Sequence, residues 1–408
     1  MDITINLVRL KGDLEELSQI GKDPSGGITR PSFSQADLEA RTWLKEKIIE
    51  AGLDCSQDGA GNIFGRIDGQ GNVIMAGSHI DTVINGGMFD GSIGVLAALE
   101  CLRRIKEEKL SLSKPLAVAS FTDEEGNLVG DFLGSRAFIG PLDREMLEKG
   151  VTPFGRPLVD ILEGTEFTID SILQAHTQRP GIDAFLEIHI EQGPILETEE
   201  KPIGIVNCIA GKNYWLGRFL GRASHAGTTP FELRQDAFLG LSDFTLKATQ
   251  YVAANHYGSL FTVGRVAVHP GVFSIVPGRV EFSLDFRSTS KETLQKMEEV
   301  FYALAKETAA TRGLEFQFKA VDRTLPVTIP QRIINIMKEE CANLGFPHME
   351  LPSGAGHDAQ ILASVADAGM IFIPCEDGIS HSPEERITWE DLEKGANLLL
   401  RTLLRLAN

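Results

Sequence analysis

The feature that most constrains this chain is a change of texture after residue 206. Before it, short apolar runs at 63–67, 73–76, 116–121 and 184–190 alternate with longer helical patterns at 35–51 and 94–109. The first of these helices has Ser34 as N-cap with Asp37 three residues on, and Gly52 as its stop. Strand–helix alternation specifies an α/β layer architecture. From 203 to 320 the order differs: β-type runs at 203–209, 214–220, 260–268, 279–286 and 314–320 surround helical patterns at 234–255 and 290–311. That block reads as an α+β unit of its own. From about 323 the α/β pattern resumes, with a helix from Pro330 and a strand at 370–373. A last helix is opened by Thr388, with Asp391 completing a capping box. The expectation is one discontinuous domain, 1–207 and 323–408, interrupted by an insert at 208–322.

Composition narrows the class. The 408 residues hold 39 Lys and Arg against 57 Asp and Glu, a net charge of −18. Apolar residues make up 42% and charged residues 24%, which supplies an ordinary globular core. The acidity argues against a nucleic-acid binder, which needs basic stripes, and against docking on an anionic membrane. No uncharged apolar run approaches the ~18 residues that span a bilayer. The N-terminal stretch carries early acids and no basic region before an apolar run, so it is read as no signal peptide. Cys55, Cys101, Cys208, Cys341 and Cys375 are odd in number and never in C-x-x-C spacing, which fits reduced thiols and a cytoplasmic protein. No internal repeat or low-complexity segment is present.

Ionisable residues gather where strands end. After the run 73–76 come Ser78, His79 and Asp81, then a Gly-rich loop to Asp90. Such a loop lets the backbone fold back and bring His79 and Asp90 together, with Asp81 placed to accept the imidazole N–H. The run 116–121 ends in Asp123-Glu124-Glu125. Adjacent carboxylates repel unless a cation or proton sits between them. One of the two glutamates can bind metal while the other handles a proton, and the residues alone do not choose which. In the run 184–190, Glu187, His189 and Glu191 share one face by the period of two. A fourth cluster, with His381, follows the strand at 370–373. Ligands in α/β sheets gather beyond the carboxyl ends of strands. Imidazole and carboxylate ligands with a bridging acid suit two Zn²⁺, Mn²⁺ or Co²⁺ ions, which share a water and lower its pKa to about 7.

The set GSHIDT with NGGMFDG, TDEEG, LEIHIEQG, SHAGTTP, SGAGHDAQ and GISHSPEE resembles the dinuclear-metal amidohydrolases that include N-carbamoyl-L-amino acid hydrolase and allantoate amidohydrolase, in the wider aminoacylase and carboxypeptidase clan. The resemblance runs in order along nearly the whole chain. It implies a metallopeptidase-like domain with a mixed central sheet flanked by helices, and an inserted α+β, ferredoxin-like lid that also forms a homodimer. It implies one metal on His79, Asp90 and His189, and a second on Asp90, Glu125 and His381, with Glu124 as general base. His225 would reach the partner subunit's site and hold the oxyanion. Arg287 would clamp the substrate carboxylate by a charge-assisted fork, against the plainer reading of an ion pair. Gln192 would contact the substrate amide, and Gly354 and Gly356 would leave room beside the metals. Ser274 stands where the family usually has Asn, which is longer and has two N–H donors where a hydroxyl has one.

The implied reaction is hydrolysis of a ureido C–N bond in a small anionic substrate. The N-carbamoyl-L-amino acid comes first, and allantoate is the alternative. Residues 121–126 and 380–383 look more like the former branch, and 354–360 more like the latter. His189 argues against an aminoacylase or dipeptidase, whose branches usually put a carboxylate there. The intact set of roles argues against a non-catalytic binder. A hinge is expected near 206–210 and 320–325. His176, His256, His269 and His348 are read as structural or surface residues in loops or helices without partners. His357 opens a helix beside Asp358, which suits the positive helix end.

Overall fold

The computed structural model describes residues 3–408. The chain divides into two compact units: residues up to Asn207 with Thr328–Asn408, and Cys208–Val327. The return boundary falls at 327/328, later than the expected 322/323, because the last insert strand runs over Glu315–Thr324 and not only 314–320.

In the larger unit a mixed sheet runs in the order Asp54–Gln57, Ile63–Ile67, Leu116–Phe121, Val73–His79, Ile182–Ile190, Asp367–Ile373, Ile203–Ile209, and His348–Ser353 also pairs with Ile203–Ile209. The four central strands are parallel, and their neighbours on both sides are antiparallel. Val73–His79 and Leu116–Phe121 are buried at every residue. Strands covered on both faces read as unbroken apolar runs, which is why the sequence exposed them. Helices Ser92–Glu107 and Trp389–Ala407 pack on each other and on these strands. Register pairs His79 with Phe121 and Ile373 with Ile190. The carboxyl ends of all four parallel strands therefore lie along one edge of the sheet.

The smaller unit is an antiparallel sheet in the order Glu315–Thr324, Gly211–Leu220, Arg279–Ser288, Leu260–His269. Strand Arg279–Ser288 buries every second residue: Val280, Phe282, Leu284, Phe286 and Ser288. Helices Ala237–Asn255 and Lys291–Thr311 add Phe244 and Phe301 to a core that also holds Trp215, Phe219 and Phe316. Both helices open on side-chain caps, Asp236 accepting from Phe238 and Leu239, and Ser290 accepting from Thr293.

Two local readings change. Thr388 accepts the Asp391 N–H, but its hydroxyl donates to the Asp391 carboxylate, so the reciprocal backbone bond of a capping box is missing. The strand expected at 370–373 begins at Asp367, where Asp367, Ala368 and Gly369 carry little β signal. Five free cysteines are present, and no helix among the described residues is long and apolar enough to cross a membrane.

Candidate metal centre

His79 closes strand Val73–His79 with its ring buried. Its Nδ1 lies 3.0 Å from the Asp81 carbonyl oxygen, a bond that places the proton on Nδ1 and turns the Nε2 lone pair inward. Nε2 has no hydrogen-bond partner and lies 3.6 Å from Glu124 and 3.9 Å from Asp90. His189 repeats the device one strand over: Nδ1 faces the Ile190 carbonyl at 2.9 Å, and Nε2 is 3.1 Å from Asp90 Oδ1. The other Asp90 oxygen is 3.1 Å from His381 Nε2, which lies 3.4 Å from Glu125.

Asp90 is held from behind. Glu385 accepts the N–H groups of Phe89 at 2.8 Å and Asp90 at 3.2 Å. Gly91 follows in the left-handed region with φ 63°, and a Cβ there would stand 2.3 Å from the His79 ring. Glu385 was missed in the sequence: a Pro-Glu-Glu loop reads as solvated, and only tertiary burial reveals the second glutamate.

The electrostatics are those of a site short of positive charge. Burial, then repulsion from Glu125, raises Glu124 well above the ordinary carboxylate range. Burial and Asp90 do the same to Glu125. Burial likewise lifts Asp81 and Glu385 to about 7 each. His79 falls to about 4 through burial. For His189 burial also pulls downward, but Asp90 and Glu187 outweigh it and bring the ring to about 9.

The donor set fits divalent metal ions. His79, Asp90 and His189 form one group with ligand atoms within 4.8 Å of one another, and Asp90, Glu125 and His381 form another. Both share Asp90. A third group, Glu187, His189 and His357, is of a different kind. The Glu187 oxygens take the Ser78 hydroxyl at 2.6 Å and the Ala359 N–H at 2.9 Å. The His357 Nε2 pairs with the Ser353 hydroxyl at 2.9 Å, and its ring meets that of His189 edge-on at 4.6 Å. These residues brace His189.

Other expected residues divide. The expected contact of Asp81 to His79 runs through the main chain; its carboxylate is 3.7 Å from Nδ1 and faces the N–H groups of Glu124 and Glu125 at 3.4 Å. Glu191 shares no site with His189, because its oxygens cap the short helix Ile195–Thr198 by accepting from Ile195 and Leu196. Gln192, at φ 58°, donates to Asp90 at 2.9 Å and to Ser380 at 3.1 Å, so its amide rests against the shared ligand. A Cβ on Gly354 would meet open space, whereas one on Gly356 would lie 2.7 Å from Phe132. Packing against Phe132 therefore itself requires a glycine at 356. His269 and His348 lie in strands, not loops or helices, and His256 is 2.9 Å from the Tyr251 hydroxyl.

Three expected residues belong to the insert. His225 lies on the two-stranded ribbon formed by Ser224–His225 and Ile275–Val276, directly opposite Ile275. Its Nδ1 accepts the Gly227 N–H at 3.1 Å, which leaves the proton on Nε2, on an exposed ring. The Ser274 carbonyl accepts the Ala226 N–H at 2.8 Å, which sets Ser274 beside His225. Arg234, unnoticed in the sequence, donates to the carbonyls of Thr229 and Ala226 and pins this loop. Arg287 forks onto Asp285 at 2.9–3.1 Å and donates to the Tyr214 hydroxyl at 3.2 Å. The plainer reading, an ion pair, is the contact present for Arg287.

The model of peptidase family M20/M25/M40 matches residues 75–405. The N-carbamoyl-L-amino-acid amidohydrolase of Pseudomonas sp. (strain NS671) is 38% identical over 411 residues, covering 99% of each chain. The allantoate amidohydrolase of Bacillus subtilis (strain 168) is 33% identical over 402 residues, covering 97% of this chain and 96% of that one. A solved amidase of the hydantoinase/carbamoylase family from Burkholderia multivorans superposes with a TM-score of 0.89 at 34% identity, covering 100% of this chain and 99% of the other. By the family model and by relatives aligned over their full length, the chain belongs to peptidase family M20/M25/M40, among its N-carbamoyl-L-amino-acid and allantoate amidohydrolases.

Proposed function

We propose that the chain hydrolyses the C–N bond of a linear ureido group, first of all in an N-carbamoyl-L-amino acid, releasing the L-amino acid, ammonia and carbon dioxide. The observation that carries this is the pair of ligand groups sharing Asp90, with Glu124 beside them at 3.6 Å from His79. His79, Asp90 and His189 would hold one divalent ion; Asp90, Glu125 and His381 would hold the other; Zn²⁺, Mn²⁺ and Co²⁺ all suit these donors. When bound, such ions polarise the ureido carbonyl, a poor electrophile because both nitrogens donate into it, and acidify water. Glu124 takes the proton of the attacking water and delivers it to the leaving nitrogen. The outward Nε2–H of His225 has the polarity to donate to the tetrahedral oxygen. Arg287, oriented by its fork onto Asp285, and Ser274 take the substrate carboxylate. Gln192 takes the substrate amide, and Gly354, where a Cβ would meet open space, leaves room for the substrate.

The His225 role implies a homodimer in which the insert of one subunit serves the partner's centre. The free thiols suit a cytoplasmic location. Allantoate stays as the second reading, because residues 354–360 read Gly-Ala-Gly-His-Asp-Ala-Gln and a relative bears that name.

A turnover panel tests the proposal: N-carbamoyl-L- and D-amino acids, allantoate, N-carbamoyl-β-alanine and N-acetyl amino acids, before and after chelation and metal return. Expected are loss of turnover on chelation, recovery with metal, and a preference for an L-carbamoyl compound. Turnover that persists in metal-free protein, or confined to N-acetyl compounds, overturns the reading.

A further inference from the structure

Behind the loop that carries Asp90, the larger unit holds a cavity of about 410 Å³. Its lining comes from three segments of that one unit, at 18–28, 86–89 and 383–389. Two of them meet main chain to main chain: Ile28 and Gly86 exchange N–H···O bonds of 3.0 and 2.8 Å. A Cβ on Gly27 would stand 2.4 Å from Asn85, and one on Gly87 2.1 Å from Glu385, so the close approach keeps this floor bare of side chains. One wall is aromatic. The rings of Phe89 and Trp389 meet edge-on at 5.7 Å, and Lys11, from outside the lining, stands over the indole at 4.7 Å.

The rim is cationic. Lys22 and Arg386 line the cavity, are exposed, and make no ion pair among the described residues. Asp23, the acid next to Lys22, accepts instead from Ser25 and Thr29. Glu385, the one acid of the lining, is turned to the N–H groups of Phe89 and Asp90. In a chain with 57 acids to 39 bases, two bases left without an acid on one concave surface favour an anion there. Apolar walls with a few placed polar groups are the makeup of a small-molecule site.

We propose that this cavity binds a small organic carboxylate with a flat apolar body, the carboxylate met by Lys22 and Arg386 and the body by Trp389 and Phe89. Glu385 belongs to the cavity and to the metal centre at once. It holds the Asp90 N–H at 3.2 Å and takes the Ser380 hydroxyl at 3.3 Å, while Ser380 also reaches the Asp90 carboxylate at 3.1 Å. A ligand seated against it steadies the loop that presents Asp90. The binding stands apart from the ureido-hydrolase reading; the coupling rests on the metal centre.

The probe is phenylacetate, titrated calorimetrically into the metal-loaded protein, with 2-phenylethanol as its uncharged counterpart. Expected is a Kd on the order of 1 mM, with the alcohol about 10-fold weaker. An exposed ion pair contributes up to about fivefold, so the double variant Lys22→Gln, Arg386→Gln should weaken phenylacetate about 10-fold and leave the alcohol within about twofold. Trp389→Leu should weaken both. Saturating phenylacetate should tighten metal about fivefold in competition with a chelating dye, and by linkage the metal-free protein should bind phenylacetate weaker by the same factor. Phenylacetate that binds the double variant as it binds the wild type is sitting elsewhere, and overturns the site. Equal affinity for acid and alcohol, or no heat with either, also overturns it. Binding that leaves metal affinity unchanged overturns the coupling alone. A protein that binds phenylacetate as described but hydrolyses no ureido compound sinks the proposed reaction and not this site.

Discussion

The two units bury opposite things. The core of the insert is aromatic and aliphatic: Trp215 and Phe301 each meet Phe286 edge-on, Phe282 stacks on Phe219, and no carboxylate or histidine of the insert is buried among the described residues. The larger unit buries His79, Asp81, Asp90, Asp123, Glu124, Glu187 and His189 along one sheet edge. Dispersion and dehydration hold the first, so its chemistry sits outside, on an exposed ribbon. In the second, the charges are drawn inside at a cost in desolvation that only a cation or a proton relieves. The difference teaches where each unit should be sensitive: the insert to lost volume, the larger unit to altered charge.

The sharpest way to break this contrast is Glu124→Gln. The change keeps volume and removes a charge that burial and Glu125 oppose. Turnover should fall by about 10²–10⁴-fold, the share a positioned base contributes, while metal content holds and thermal stability stays level or rises. Activity that survives with metal bound would refute the base assignment. Next is Phe301→Ala in the insert, where no charge changes. A loss of about 3–5 kcal/mol is expected, seen as faster hydrogen exchange in 208–327, with metal binding by the larger unit unaffected. Smaller again is Glu385→Ala, which strips the acceptor from the N–H groups of Phe89 and Asp90. Removing such a support costs about 10–100-fold in metal affinity, to be read by competition with a chelating dye. Unchanged affinity would show that the loop holds Asp90 unaided.

How much of this was legible follows from the same contrast. Strands buried on both faces wrote themselves as apolar runs, and polar residues standing where those runs stop marked the sheet edge at His79, Glu124 and His189. The insert declared itself by alternation, as in Arg279–Ser288. What stayed hidden depends on partners distant in the chain. Arg41, paired with Asp37 one helical turn before it, reaches on to the Thr122 hydroxyl under the acidic turn, and Glu385 reaches Asp90 across the fold; neither of these long-range contacts has a local signature. The packing of Phe132 against Gly356 is likewise invisible in the sequence. The Asp285–Arg287 pair was within reach: residues two apart on a strand share a face, and an acid there competes for the guanidinium.

Glu340 gives the mildest test of the contrast, because it is a buried carboxylate in the same larger unit whose cations come from the chain itself. Arg405 at 2.7 Å and Arg401 at 3.2 Å bracket it. Burial alone would raise its pKa, but the two guanidinium contacts prevail and lower it below the ordinary 4.5. A carboxylate depressed in the folded state adds stability that is complete above the unfolded value and fades as pH falls through the folded one. Glu340→Gln should therefore cost about 1 kcal/mol near neutral pH, since Arg405 is half exposed and water screens part of the pair. The gap between wild type and variant in urea unfolding should close as the pH drops below 4.5. A gap that stays constant into acid would mean that Glu340 contributes by packing, and that an internally paired carboxylate does not behave as the charge-starved ones around Asp90 are expected to by contrast.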